Sequence, residues 1–167
     1  FAEYENTLSV AHQLSETLGP VRNVPGSLHH LIKITADNYN IDYVFIDVSP
    51  SLGALNQNIV TTANRLIVPL SPDLFCGQAI DTLSRTLPKW IRWAERASQL
   101  DILQDADYPF PSPTLTFNGH IIQRYKLRNG SPTRAFQTFF DDLKNRIDTK
   151  LIPNFAESGL IKNTSMS

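Results

Sequence analysis

Residues 42–53 read DYVFIDVSPSLG, Asp42 to Gly53, a short apolar run that ends on an aspartate and passes at once into Ser-Pro-Ser. Val44, Phe45 and Ile46 are β-branched or aromatic and follow one another without alternation, the pattern of a strand covered on both faces. The reading expects strand Tyr43 to Asp47, with Asp47 as the first charge after the run. A carboxylate at such an edge either bonds the following turn or holds a ligand, because burying it unpaired costs several kcal/mol.

Working outward, the remaining chain alternates helix and strand. Leu8, Ala11, Leu14 and Leu18 share one helical face, closed by Gly19-Pro20. Ser27 is the expected cap of a second helix carrying Leu28, Leu31 and Ile32 and running out near Asn38 to Asn40. Leu52, Leu55, Ile59 and Val60 mark a helix ending close to Asn64, and Arg65 to Pro69 is a second short apolar strand stopped by the turn Pro69 to Pro72. A long helical pattern covers Leu74 to Leu100, with Ile80, Leu83, Leu87, Ile91 and Ala94 inward and a break expected at Pro88. Asp101 to Pro113 reads as a surface loop. Thr114 to Tyr125 contains strand material, and Ser131-Pro132 opens a helix whose Phe136, Phe139, Phe140, Leu143 and Ile147 form one stripe.

Strands separated by helices of this length predict an α/β fold: a mostly parallel sheet with helices on both faces. The 167 residues fit one domain. In such sheets ligands lie beyond the carboxyl ends of the strands, where Asp47, the Pro69 turn and the segment after Ile122 are all expected. Charge is balanced, 15 Lys plus Arg against 16 Asp plus Glu, so net charge names no partner. The single cysteine, Cys76, excludes a disulfide within the chain and reads as a small packed residue. No apolar run approaches the roughly 18 residues of a membrane span, and a cytoplasmic setting is the expectation.

The block DYVFIDVSPSLGALNQNIVTTANRLIVPLSPDLFCGQAIDTL, Asp42 to Leu83, resembles the Walker B strand and following segment of the ParA/MinD family of P-loop ATPases, which partition plasmids and chromosomes or position division sites. GHIIQRYKLRNGSPTRAFQ, Gly119 to Gln137, is similar to the later strand and loop of ParA-like proteins. The resemblance implies that Asp47 serves Mg²⁺ through water at a catalytic position, that Ser49 and Pro50 lie beside the nucleotide, and that Gln123 stands near the base. It further implies ATP and Mg²⁺ as cofactors of the whole protein, a homodimer, a ParB-like adaptor and DNA bound without sequence preference through Arg124, Lys126, Arg128 and Arg134. Against these stand plainer readings: a turn cap for Asp47, a structural role for Gln123, and a solvated loop for the basic segment, offset by Asp141 and Asp142.

The departure from the family matters as much as the match. The Lys-Gly-Gly-x-x-Lys-Ser/Thr loop is absent, no Gly-Lys-Ser/Thr occurs anywhere, and the seven glycines are scattered. Without convergent backbone N–H groups and the loop lysine, the β- and γ-phosphates have no cradle. With its first residue Phe1, the chain is expected to be the C-terminal part of a ParA-like protein and inactive alone as an ATPase. The alternative is a non-catalytic binding or scaffold domain that keeps the fold. In ParA-like proteins the P-loop strand lies between the Walker B strand and the Val-Pro strand, so its loss leaves an empty slot that is closed, filled from a neighbour, or left by cleavage. Ser49 and Ser51 lack the Gly-x-Ser-x-Gly frame of a nucleophile elbow. Adjacent His29 and His30 point about 100° apart on a helix and cannot share a metal.

Overall fold

The computed structural model describes residues 21–49, 51–123, 127–128, 131–132 and 134–161. The helix expected over Leu8 to Leu18 lies outside them. The chain divides into two compact units, one of Phe1–Ala63 with Arg92–Thr114 and the other of Asn64–Ile91 with Leu115–Ser167.

In the first unit, α1 spans Val24–Tyr39. Its N-cap is Asn23 with Pro25 in the first turn, so the helix begins ahead of Ser27, whose hydroxyl instead donates to the Val24 carbonyl at 2.8 Å. Proline suits this start because its missing N–H falls where no helical acceptor exists. Asn40 ends the helix in the left-handed region, φ 51°, a conformation asparagine tolerates.

Helix α2 covers Ala54–Thr62. Asn58, fully buried, donates its side-chain N–H to the Pro25 carbonyl at 2.8 Å and ties α2 to the first turn of α1. At Gly26 a β-carbon would stand 1.9 Å from the Tyr108 carbonyl oxygen, so only glycine allows the segment before Phe110 to pass this close.

Residues 101–113 are largely the expected surface loop, opened by one helical turn and anchored by a few buried side chains. Asp101–Gln104 forms a short helix, α4, and Leu103, Ala106 and Phe110 are buried. Leu103 and Phe110 form a core with Ala94 and Ala97, flanked by Trp93, whose ring meets Phe110 edge-on at 5.5 Å. The prolines shape the path of the chain, while the apolar residues between the aspartates hold it down.

The second unit carries a parallel two-stranded sheet of β1, Arg65–Leu70, and β2, Thr116–Ile122. Both strands were legible, and the fold is α/β. Thr116 donates to the Asn64 carbonyl at 2.9 Å and Gln123 to the Leu70 carbonyl at 2.7 Å. Since main-chain groups alternate sides along a strand, Arg65, Ile67 and Pro69 turn theirs away from β2. Pro69, lacking an N–H, therefore sits where a missing donor breaks no existing ladder bond. The register shifts between Leu66 and Ile67, which pair with Phe117 and Gly119.

Helix α3, Leu74–Ala97, continues through Pro88, against the break the sequence suggests. Pro88 is buried between fully buried Leu87 and nearly buried Ile91, and that packing offsets the local cost of a proline in a helix interior, ~3 kcal/mol. Residues Ser131–Pro132 form β4, paired antiparallel with β3, Leu127–Arg128. The following helix α5 accordingly starts at Arg134 and ends at Arg146. A π-helical turn, Ile147–Leu151, joins it to α6, Ile152–Glu157. Leu143, Ile147, Leu151 and Phe155 are buried along this stretch, and Phe155 meets Phe117 edge-on at 5.2 Å.

The Tyr43–Asp47 strand is the main correction. These residues lie in no strand, and no hydrogen bond among the described residues reaches their main chain. Tyr43 is 82% exposed and Phe45 90%. The residue types favour a strand, but a strand exists only through a neighbour, and composition supplies none.

Candidate nucleotide-binding site

The segment after Asp47 is built around one buried amide. Asn56, on the first turn of α2, is 6% exposed and donates from Nδ2 to the carbonyl oxygens of Ser49 at 2.5 Å and Ser51 at 2.8 Å. The same nitrogen lies 3.4 Å from Ser49 Oγ and 3.2 Å from Ser51 Oγ, and the two hydroxyls stand 3.2 Å apart. Ser51 N–H donates back to the Ser49 carbonyl at 2.8 Å. The loop is thus folded onto the start of α2, with Ser49 and Ser51 exposed at its surface. Asn56 was missed by the sequence reading; an asparagine three residues past Gly53 was its signal.

Asp47 is exposed, and no hydrogen bond among the described residues reaches it. The turn-cap reading therefore finds no donor there. An exposed carboxylate without a partner among the described residues fits the outer sphere of a hard cation, which keeps its waters and takes few protein oxygens. Pro50 lies outside the described residues.

In the second unit, the carboxyl ends of β1 and β2 come together as expected. Gln123 is exposed just past β2, its N–H held by Leu70. The turn beyond Leu70 is stapled to the start of α3: Asp73 Oδ1 accepts the Cys76 N–H at 2.7 Å, and the Ser71 N–H donates to Cys76 Sγ at 3.1 Å. Asp73 is a helix-capping carboxylate that the sequence reading passed over, although an aspartate three residues ahead of the N–H it caps is a known start signal. Asp47 and Gln123 belong to different compact units.

Among the basic residues, Arg124 and Lys126 lie outside the described residues. Arg128 is in β3 and Arg134 is the first residue of α5. Further along, Arg146 donates to Asp142 at 2.8 Å and also pairs with Asp81, while Lys150 donates to Asp81 at 2.8 Å. The Lys150 hydrogen bond, followed by the charges of Arg146, Lys150 and Arg85, holds the Asp81 carboxyl below its ordinary range against an opposing effect of burial. These cations are engaged within the protein and differ in that respect from a phosphate-binding set.

No group of three or more His, Cys, Asp or Glu among the described residues is placed to hold a metal. His29 is held below its ordinary value by burial first, then by the charges of Lys33 and His30. His30 stacks on Tyr108 with ring centroids 4.5 Å apart.

An exposed carboxylate at the end of an apolar run, a following serine loop clamped to a helix start, and a parallel strand pair fit parts of a P-loop NTPase-type domain. The family model described as AAA domain, AAA_31, matches residues 6–101. That stretch exceeds half of the 167 residues, and the chain belongs to this ParA/MinD-like family of P-loop NTPases. No curated protein and no solved structure matches the chain. Among the described residues, no helix is long and apolar enough to cross a membrane.

Proposed function

We propose that this chain is the C-terminal portion of a ParA-type ATPase that serves plasmid or chromosome partitioning in the cytoplasm. The observation that carries the reading is the family match over residues 6–101, which takes in Asp47, Ser49 and Pro50. Asp47, exposed and without a protein partner among the described residues, would hold the water shell of Mg²⁺, and Ser49 and Pro50 would line the phosphates. When bound, Mg²⁺-ATP supplies the cleavable γ-phosphoryl group and the charge neutralisation that its transfer needs. Asn56 fixes the path of the serine loop, and Gln123 presents its side chain at the strand end assigned to the base.

The sequence carries no Gly-Lys-Ser/Thr phosphate loop, so the 167 residues alone are expected not to turn over ATP. ATP hydrolysis by the purified chain, lost on Asp47→Ala, would overturn that expectation. DNA binding in this reading rests on Arg124, Lys126, Arg128 and Arg134, with a ParB-like adaptor and a homodimer completing the whole protein. Neutralising four phosphates gives a slope of about −3.6 in log affinity against log salt, and an affinity unchanged by salt would remove the DNA role. The missing Gly-Lys-Ser/Thr favours a second reading, a non-catalytic scaffold on the same fold. Mg²⁺-ATP binding by the chain, weakened by Asp47→Ala, separates the two.

A further inference from the structure

We propose that the outer face of α3 docks an acidic α-helix of a partner protein, held by Arg85, Lys89, Arg92 and Arg96. The proposal does not rest on the nucleotide reading, and it uses the winding of one continuous helix, Leu74–Ala97.

The four cations follow one another at helical spacing, and all are exposed. At about 100° and 1.5 Å per residue they fall within an arc of roughly 60° and span about 16 Å. Ile80, Leu87, Ile91 and Ala94 are buried on the far side of the same helix. A helix that buries one face turns the opposite one outward, so the stripe is exposed by the winding of α3 and not by a gap in the sheet. Among the described residues no carboxylate forms an ion pair with these cations. Arg85 Nε donates to the Asp81 main-chain carbonyl at 3.0 Å, while the Asp81 carboxylate is taken by Arg146 and Lys150. Like charges three and four positions apart weaken a helix. The ladder therefore works against α3 by itself, and an incoming row of anions relieves it.

The shape of the patch selects a helix over a nucleic acid. The stripe is one side chain wide and lies on a chain whose net charge is −1. Exposed Glu95 flanks it, and exposed Asp101 and Asp105 follow soon after its end. A duplex is wider than a protein helix and carries phosphates on both sides of each groove, so it would bring phosphates toward these carboxylates. A single partner helix meets the arc alone. Carboxylates at i, i+4, i+7 and i+11 of such a helix repeat the spacing of Arg85, Lys89, Arg92 and Arg96, and the three arginine forks suit two-bond pairing with them. Trp93 stands four positions after Lys89 and three before Arg96, with its ring braced edge-on against Phe110. It is partly buried, and it borders the charged row with a fixed aromatic surface, the kind of anchor that docking helices use.

The test titrates the full 167-residue chain, without nucleotide and at low salt, with an alanine-based helical peptide carrying Glu at i, i+4, i+7 and i+11. Calorimetry and the emission of Trp90 and Trp93, both on α3, read the binding. The peptide is expected to bind with Kd below about 1 mM, more tightly than one of the same composition with its glutamates spread around the helix. Arg92→Ala should weaken binding roughly two- to fivefold, the share of one exposed ion pair. Lys89→Glu with Arg92→Glu should abolish it and transfer the preference to the corresponding lysine peptide. No binding up to about 1 mM, or equal binding of the two glutamate peptides, overturns the proposal. Duplex DNA or anionic vesicles bound more tightly than the peptide, and lost with the same double substitution, would assign the stripe to phosphate and also overturn it. Since Arg92→Ala removes like-charge repulsion, its melting temperature is expected to hold or rise; a fall would assign the cation to the fold and overturn the docking role.

Discussion

Asn58 donates to the carbonyl oxygen of Pro25 across 2.8 Å, a buried bond between residues 33 positions apart in the chain. It joins the middle of α2 to the first turn of α1. Asn58→Ala removes the donor and leaves a buried carbonyl without it, which costs about 1–3 kcal/mol. Urea unfolding should show the loss as a lower midpoint with unchanged slope.

Asn56 does a related job nearer the surface. With Asn56→Ala the Ser49 and Ser51 carbonyls lose their shared donor, at a cost of about 1 kcal/mol. The expected local sign is faster hydrogen exchange at the Ser51 amide, whose own bond to Ser49 depends on the folded loop. Unchanged protection there would mean that the loop holds its shape without the amide.

Gly26→Ala is expected to destabilise by roughly 3 kcal/mol, the upper range for overpacking. The new methyl group meets main-chain oxygens of Tyr108 and Pro109, which cannot swing aside as a flexible side chain would. Thermal melts of the purified variant check this.

Asp81 gives a pH signature. Its folded-state pKa lies below the ordinary 3.8, so the unfolded chain binds the proton first and the stabilisation is present above about pH 4. It is lost as the pH falls through the depressed value. Asp81→Asn should therefore lower stability at neutral pH, by under about 1 kcal/mol because the cluster is partly solvated, and less at high salt. The gap between variant and parent should close in acid; a gap that persists there would assign the effect to packing.

The sequence announced β1, β2 and the helices α1 to α3 because each has a local signature: an apolar run stopped by proline, or a stripe at helical spacing. It misread features whose cause is distant in the chain. Tyr43 to Asp47 has strand composition and, among the described residues, no strand beside it. Pro88 signals a break that the packing around Leu87 and Ile91 overrides. Ser131-Pro132 carries a helix-start signature yet pairs with Leu127 and Arg128. For the candidate site, Asp47 and the serines stood out as a pattern, whereas Asn56 and Asn58 did not, since a hydrophobic period assigns asparagines to the outside and is blind to a carbonyl waiting within.

The π-helical turn at Ile147–Leu151 acts as a phase shifter between two helices. One surplus residue there advances everything downstream by about 100°, so that Phe155 arrives under Phe117 while Lys150 stays outside beside Asp81. Excising a single residue, such as Thr149, would restore ordinary winding and rotate Phe155 out of its socket. The length of this stretch, more than its composition, is what the fold protects.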